Sequence, residues 1–386
     1  MDIEKKFKIL GRQAKFDSCG CPAGLDWKWN SPFIYNAVGE GGRFVRLFKT
    51  LQTNACSGNC FYCANRRYRE FERMSFTPKE LAGTFMEYFR RRAVSGLFLS
   101  SAIAGSRERS QEEILETIRL VRGFGFSGYI HAKILPGTET GLIGEVARYA
   151  DRLSINLEAI NQKYLDRLSP NKNFSLLMKG VEDIAGLNRK KPFKAGISTQ
   201  IIVGASGEKD SEIVGLTGRL YKELRLWRVY YSRFEPVPGT PLENKPACSN
   251  RREARLYQAD FLLRKYGFQP HEFVFDENGN LPEDIDPKLA WAKAHPELFP
   301  FEINTAPFEK ILRIPGIGRI SARRIVEERR RTKLTDPEQL KKMGVRTGKA
   351  RDYITLNGKF YGVQTFRSAV LSEEKISYQP FLWEEL

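Results

Sequence analysis

Between residues 44 and 267 the chain alternates strand-like runs with helical patterns, and this alternation limits the fold more than any other feature. The runs are FVRLFKTLQT (44–53), GLFLSS (96–101), YIHAKIL (129–135), DRLSINLEA (151–159), KAGISTQIIV (194–203) and RVYYSRFEP (228–236). Amphipathic stretches such as TPKELAGTFMEYFRRR (77–92), SQEEILETIRLVRGF (110–124) and NFSLLMKGVEDIAGL (173–187) separate them. A helical crossover returns the chain to the same end of the sheet, so successive strands lie parallel. The expected fold is α/β, a partial (β/α)6 barrel over residues 44–270 behind an N-terminal extension over 1–43. Residues 271–306 are rich in prolines and acids and read as a linker, and 307–386 as a basic, all-α region with a tail.

Three of the chain's six cysteines crowd into NACSGNCFYCANR, as Cys56, Cys60 and Cys63, directly after the first strand. Loops at the carboxyl ends of parallel strands are where β/α proteins carry function. The N-terminus MDIEKKFKIL lacks a secretory apolar core, and no apolar run is long enough for a membrane helix. A cytoplasmic protein without a membrane partner is expected, with reduced thiols that bind metal or do chemistry. A structural zinc would want a fourth ligand nearby, and the chain has only three histidines. Three thiolates on a four-iron cluster would leave one iron open. A zinc site completed from afar and a redox or structural thiol cluster are the alternatives. Cys19, Cys21 and Cys248 read as ordinary thiols.

The Cys-x3-Cys-x2-Cys loop, with Tyr62 before its last cysteine, resembles the radical S-adenosylmethionine superfamily. The resemblance implies a [4Fe–4S] cluster on Cys56, Cys60 and Cys63, with S-adenosylmethionine chelating the fourth iron. Reduction by a donor such as flavodoxin or ferredoxin would cleave the sulfonium to a 5′-deoxyadenosyl radical. Ser100 and Ser101, in LFLSSAIAGS, stand where the family binds the methionine amino group. Asn156 and Glu158 fall on the strand that contacts the ribose. IIVGASGE, ending at Glu208, is similar to the adenosine-supporting element of the family.

Period-two reading adds candidate lumen residues. Ser154, Asn156 and Glu158 share one face of the fourth strand, opposite Leu153, Ile155 and Leu157. His131 and Lys133 share a face of the third, and Tyr231, Arg233 and Glu235 a face of the sixth. His131, Lys133, Tyr231 and Arg233 are therefore candidates for catalysis.

The formal charge of +17 implies a polyanionic partner. Residues 311–326, ILRIPGIGRISARRIV, gather much of it. Ile311, Ile314, Ile317, Ile320 and Ile325 have helical spacing, interrupted by Pro315-Gly316-Ile317-Gly318. This resembles a helix-hairpin-helix, which grips DNA backbone through hairpin N–H groups at Gly316 and Gly318, flanked by Arg319, Arg323 and Arg324. A degenerate second unit follows in TDPEQLKKMGVRTGKARDYI (335–354). The whole combination resembles a bacterial family of radical proteins named for DNA modification or repair. A radical enzyme acting on duplex or single-stranded DNA is the leading expectation. An RNA- or tRNA-modifying radical enzyme, and a DNA-binding protein with a structural or redox-sensing cluster, are the alternatives.

Overall fold

The computed structural model describes residues 3–14, 33–38 and 44–362, and the chain divides into two compact units, Met1–Leu256 and Tyr257–Leu386. Cys19 and Cys21 lie outside the described residues. The first unit runs α1 (Ile3–Gln13), β1 (Ile34–Val38), β2 (Phe44–Leu51), α2 (Pro78–Arg90), β3 (Gly96–Ser100), α3 (Arg107–Gly123), β4 (Tyr129–Lys133) and α4 (Thr140–Ala147). It continues with β5 (Arg152–Ser154), α5 (Gln162–Asp166), α6 (Phe174–Lys190), β6 (Ile197–Val203), α7 (Asp210–Leu224), β7 (Arg228–Arg233) and α8 (Asn250–Tyr266), which runs into the second unit.

The strands form one sheet in the order β1 to β7, parallel throughout except for β1, which pairs antiparallel with β2. Sequential order with helical crossovers, which are right-handed in nearly all parallel sheets, places the covering helices on one face, as in a partial barrel. Six parallel strands stand where the sequence predicts them. The first unit also takes in part of the expected N-terminal extension: α1 and β1 belong to it, and β1 adds a seventh strand.

Local chemistry explains the helices. Thr77 caps α2, accepting from Glu80 N–H while the Glu80 carboxylate accepts from Thr77 N–H, with Pro78 in the first turn. Leu81, Ala82, Phe85 and Met86 bury the helix face. Phe7 of α1 packs on Phe76, Phe33 and Phe48 with centroids 4.5, 5.1 and 5.4 Å away. Each such ring contributes roughly 2–3 kcal/mol by leaving water.

Register sorts the side chains by face. Lys49 pairs with Phe98, Phe98 with His131, His131 with Arg152, Lys133 with Ser154, Ser154 with Ser198, and Ser198 with Arg228. These share the concave inner face. Phe48, Leu97, Leu99, Ala132, Leu153, Ile197, Ile201 and Val229 alternate with them and face the helices, fully or nearly fully buried.

Two expectations need correction in this unit. The fourth strand ends at Ser154 rather than Ala159, and Glu158 turns to φ 64°. Tyr231 pairs with helix-facing Ile201 and shares a 3.0 Å hydrogen bond with Thr217 of α7. It is therefore a core residue of the helix layer, not a lumen residue. Arg233, on the same face, bonds Glu235 and Asn250 and approaches Glu253 of α8 at 3.8 Å. The inward residues of β7 are Arg228, Tyr230 and Ser232. The period was right and the assigned face was wrong, because that strand carries polar groups on both faces.

The second unit holds α9 (Pro287–Ala294), β8 (Phe301–Glu302), α10 (Phe308–Arg313), α11 (Arg319–Glu328), α12 (Pro337–Lys342), α13 (Thr347–Ala350), β9 (Ile354–Leu356) and β10 (Lys359–Phe360). The three strands form a small sheet in the order β10-β9-β8, so this region is not all-α. Strands of two or three residues leave no periodicity to read. Its core includes Phe268, Trp291, Ile311, Ile314, Ile317, Ile325, Leu340 and Val345.

Candidate functional site

The cysteine loop leaves the carboxyl end of β2 under tight control. Gln52 N–H donates to Ser100 O at 2.8 Å, and its side chain reaches Phe76 O at 2.7 Å. Asn54 bridges Glu72 O and Met74 N–H at 3.0 and 2.6 Å. The Arg73 guanidinium donates to the carbonyls of Asn54, Arg66, Arg67 and Arg69 at 2.9–3.3 Å. A loop pinned by its own backbone acceptors is organised before any ligand arrives.

Cys56, Cys60 and Cys63 are all partly accessible. Gly58 N–H points at Cys56 Sγ (3.3 Å), Asn65 N–H at Cys63 Sγ (3.4 Å), and Ser169 Oγ lies 3.2 Å from Cys60 Sγ. Burial, and the charges of Cys60 and Cys56, push the Cys63 thiol up to about 12. Iron would reverse that cost, since a bound cation holds thiols deprotonated. Among the described residues no three His, Cys, Asp or Glu converge on a single ion. Donors already aimed at sulfur suit an iron–sulfur cluster held by thiolates. The residues present thus fit the cluster that the sequence suggests.

Around the loop stand groups from other strands. Tyr62, half-buried, hydrogen-bonds Glu158, and burial together with that carboxylate holds its phenol well above the usual range. The turn at Glu158 brings its carboxylate to Lys172 Nζ at 3.1 Å. Despite burial, Lys172 is held above the ordinary lysine range, by Cys60 and then Glu158. Lys133 donates to Asn156 Oδ1, and Ser100 is buried on the inner face while half-buried Ser101 donates to Ala102 O at 2.8 Å. Glu208 lies apart from these: its carboxylate accepts from Gly204 N–H, and from Ser206 N–H and Oγ at 3.1 and 2.6 Å, inside its own turn. Arg252 bridges that turn to Asp210 at 2.8 Å.

His131 Nε2 lies 2.7 Å from Ser154 Oγ, with its ring edge-on to Phe98 at 4.6 Å. Burial, then the charges of Arg152, Lys133 and Lys49, hold it well below the ordinary histidine range. The sequence reading missed Lys172, Ser169, Lys49 and Arg152. Lys172 and Ser169 sit in a loop without periodicity. Lys49 was legible, since it alternates with Leu47 and Leu51.

In the second unit, Pro315–Gly318 joins α10 to α11. Gly316 has φ 80°, and a Cβ there would meet Arg346 O at 2.6 Å. Its N–H side is not the reason for glycine; close packing on the 346–350 segment is. Gly318 caps α11 with open space around it: the nearest atom to an added Cβ is Tyr266 Oη at 3.8 Å. Arg319 N–H donates to the Tyr266 phenol. Arg323 and Arg324 are exposed, and Arg324 also reaches Met343 O at 3.4 Å. Ile320, read as core from its spacing, is 69% exposed beside them. Lys288 Nζ is buried and donates to Ile317 O at 2.6 Å.

The described residues include no helix long and apolar enough to cross a membrane. Residues 51–219 match the sequence model of the Radical SAM superfamily. Biotin synthase of Nostoc punctiforme is 25% identical over 201 residues, 51% of this chain and 57% of that protein. An uncharacterised protein of Methanocaldococcus jannaschii is 23% identical over 222 residues, 55% of each. The chain therefore spans little more than half the length of the curated relatives it matches. Among solved structures, methylornithine synthase aligns with a TM-score of 0.47 and 16% identity, over 55% of this chain and 60% of that one. The [FeFe]-hydrogenase maturase from Carboxydothermus hydrogenoformans aligns with a TM-score of 0.45 and 15% identity, over 55% and 50%. The matched segment begins at the last residue of β2 and encloses the cysteine loop, so this part of the chain is similar to the radical SAM superfamily, whose enzymes use a [4Fe–4S] cluster and S-adenosylmethionine and need a reductant.

Proposed function

We propose that the protein is a radical SAM enzyme acting on DNA, by repair or modification. The observation that carries the catalytic part is the cysteine loop, pinned at the end of β2 with N–H donors aimed at two of its three sulfurs. In this reading Cys56, Cys60 and Cys63 hold the cluster, and Tyr62, Ser100, Asn156 and Glu158 border the cofactor. When bound, the cluster and S-adenosylmethionine supply reductive sulfonium cleavage and hydrogen abstraction. The chain orients the cofactor, and its inner face limits water. Lys172, fixed by Glu158, places a positive charge beside the thiolates.

The DNA part is supported by the second unit. Gly318 leaves open space at the start of α11, and exposed Arg323 and Arg324 follow it. Their reach to phosphate would be sequence-independent. An electron donor of the flavodoxin or ferredoxin kind completes the reading. The experiment is anaerobic reconstitution with S-adenosylmethionine and a reductant, with and without duplex and single-stranded DNA, assaying 5′-deoxyadenosine and modified nucleosides. Release of 5′-deoxyadenosine with a new DNA product is expected. Release that is indifferent to DNA, with no DNA binding, would overturn the substrate, and no release would overturn the enzyme.

A further inference from the structure

The turn between α5 and α6 is fastened to the cysteine loop, although it carries no cysteine itself. Leu168 O accepts from Phe61 N–H at 2.8 Å, between Cys60 and Cys63. Next to it, Ser169 is only 2% exposed, and its Oγ lies 3.2 Å from Cys60 Sγ. A thiolate that binds iron has no proton to give, so in that state the hydroxyl is the donor.

The turn is itself held in place. Ser169 N–H donates to Leu165 O at 2.7 Å, and Lys172 N–H to Ser169 O at 3.0 Å. Gln162 braces the far end, donating to Lys172 O at 3.1 Å and accepting from Phe174 N–H at 2.6 Å. Lys172 Nζ then meets Glu158 at 3.1 Å, and its charge acts on Cys60 more strongly than on Cys63. The three sulfurs are therefore unequal. Cys56 and Cys63 each meet one backbone N–H, whereas Cys60 meets a buried hydroxyl and the field of an ammonium. Reduction adds one negative charge to a cluster and its thiolates. Hydrogen bonds to sulfur and nearby positive charge favour the reduced form, and burial limits their screening.

We infer that Ser169 and Lys172 are positioning residues that raise the reduction potential of the cluster on Cys56, Cys60 and Cys63, Ser169 by its hydrogen bond to Cys60 and Lys172 by its charge. The inference rests on the cluster of the proposed function. Glu158 opposes the pair, since it sets a carboxylate against the same ammonium. One electron from a reduced flavodoxin or from dithionite enters the more readily, with no bond made or broken.

The test uses the full chain, reconstituted with iron and sulfide, without S-adenosylmethionine. Redox titration followed by the paramagnetic resonance of the reduced cluster gives the midpoint potential, and iron analysis gives the loading. Ser169→Ala and Lys172→Met should each make reduction at least about threefold less favourable, and together about tenfold, which is about 59 mV for one electron. Ser169→Thr and Lys172→Arg should keep most of the wild-type potential. Glu158→Gln should move it the opposite way. Opposite shifts from the two members of one ion pair follow from charge and not from loosened packing. Where a variant loads less iron, the potential is still read from the clusters that form. An unchanged potential in Ser169→Ala and Lys172→Met, or a shift of the same sign in Lys172→Met and Glu158→Gln, would overturn the inference. If 5′-deoxyadenosine still forms on adding S-adenosylmethionine in those cases, the proposed function stands and only the tuning fails. A wild-type chain that assembles no cluster would overturn both.

Discussion

At the scale of single residues, the bend at Glu158 matters most. A strand continued through this position would carry the carboxylate away along the sheet; instead φ 64° turns it to Lys172 and Tyr62 beside the cysteines. Such a backbone costs a non-glycine residue roughly 1–2 kcal/mol, which fits a position that must present its side chain locally. Glu158→Gln keeps the shape and removes the charge. It should leave the iron content unchanged and weaken S-adenosylmethionine binding about tenfold, as loss of a charged hydrogen bond does. Calorimetry checks it, and unchanged affinity would remove Glu158 from the cofactor site. The sequence made Ser154, Asn156 and Glu158 legible as one polar row because alternation survives a short distance beyond a strand. It could not reveal Lys172, whose partner is fourteen positions away in a loop and is brought near only by the turn.

At the scale of elements, the two hairpins of the second unit depend on each other. Gly316 packs on Arg346 O, and Gly344 at φ 86° packs on Ser321. Gly316→Ala meets both a backbone oxygen and an unfavourable φ, and should destabilise this unit by about 2 kcal/mol or more. Hydrogen exchange of peptides spanning 308–350 reads this directly, and unaltered protection would contradict it. Lys288 adds a pH dependence. Burial, opposed by Asp286 and reinforced by Arg313, lowers its amine from 10.5 to about 7. Below about pH 7 the amine is protonated in both states, and the cost of the buried charge is fully present. As pH rises from about 7 toward 10.5 only the unfolded chain holds the proton, so stability rises, with a slope of up to about 1.4 kcal/mol per unit. Denaturant titrations at pH 7 and 9 should show this gain in wild type beyond any gain in Lys288→Met. Equal pH dependence in both would contradict it. The parallel strands were legible because their apolar runs repeat; the short strands β8, β9 and β10 were not, and Ile320 shared the core spacing while facing solvent.

At the scale of the whole molecule, a charge of +17 and a segment similar to the Radical SAM superfamily share one chain. If the second unit holds DNA through phosphate, Arg323→Ala/Arg324→Ala should weaken binding similarly on unrelated sequences. The slope of log affinity against log salt should fall by roughly one unit per lost contact. Titration of labelled duplex and single strand at several salt concentrations checks it, and an unchanged slope would contradict it. The barrel and its cysteine loop were legible because both rest on local spacing. The charged inner face was legible only in part, because register across strands decides which side chains meet. The central claim is that Cys56, Cys60 and Cys63 hold a cluster that cleaves S-adenosylmethionine. The most direct measurement is 5′-deoxyadenosine formed by the reduced, iron-reconstituted protein, beside its Cys60→Ala and Cys248→Ala variants. Formation is predicted in wild type and Cys248→Ala, with about four irons bound in each, and neither in Cys60→Ala. Formation that survives in Cys60→Ala, or its absence from wild type with iron fully bound, would contradict the account.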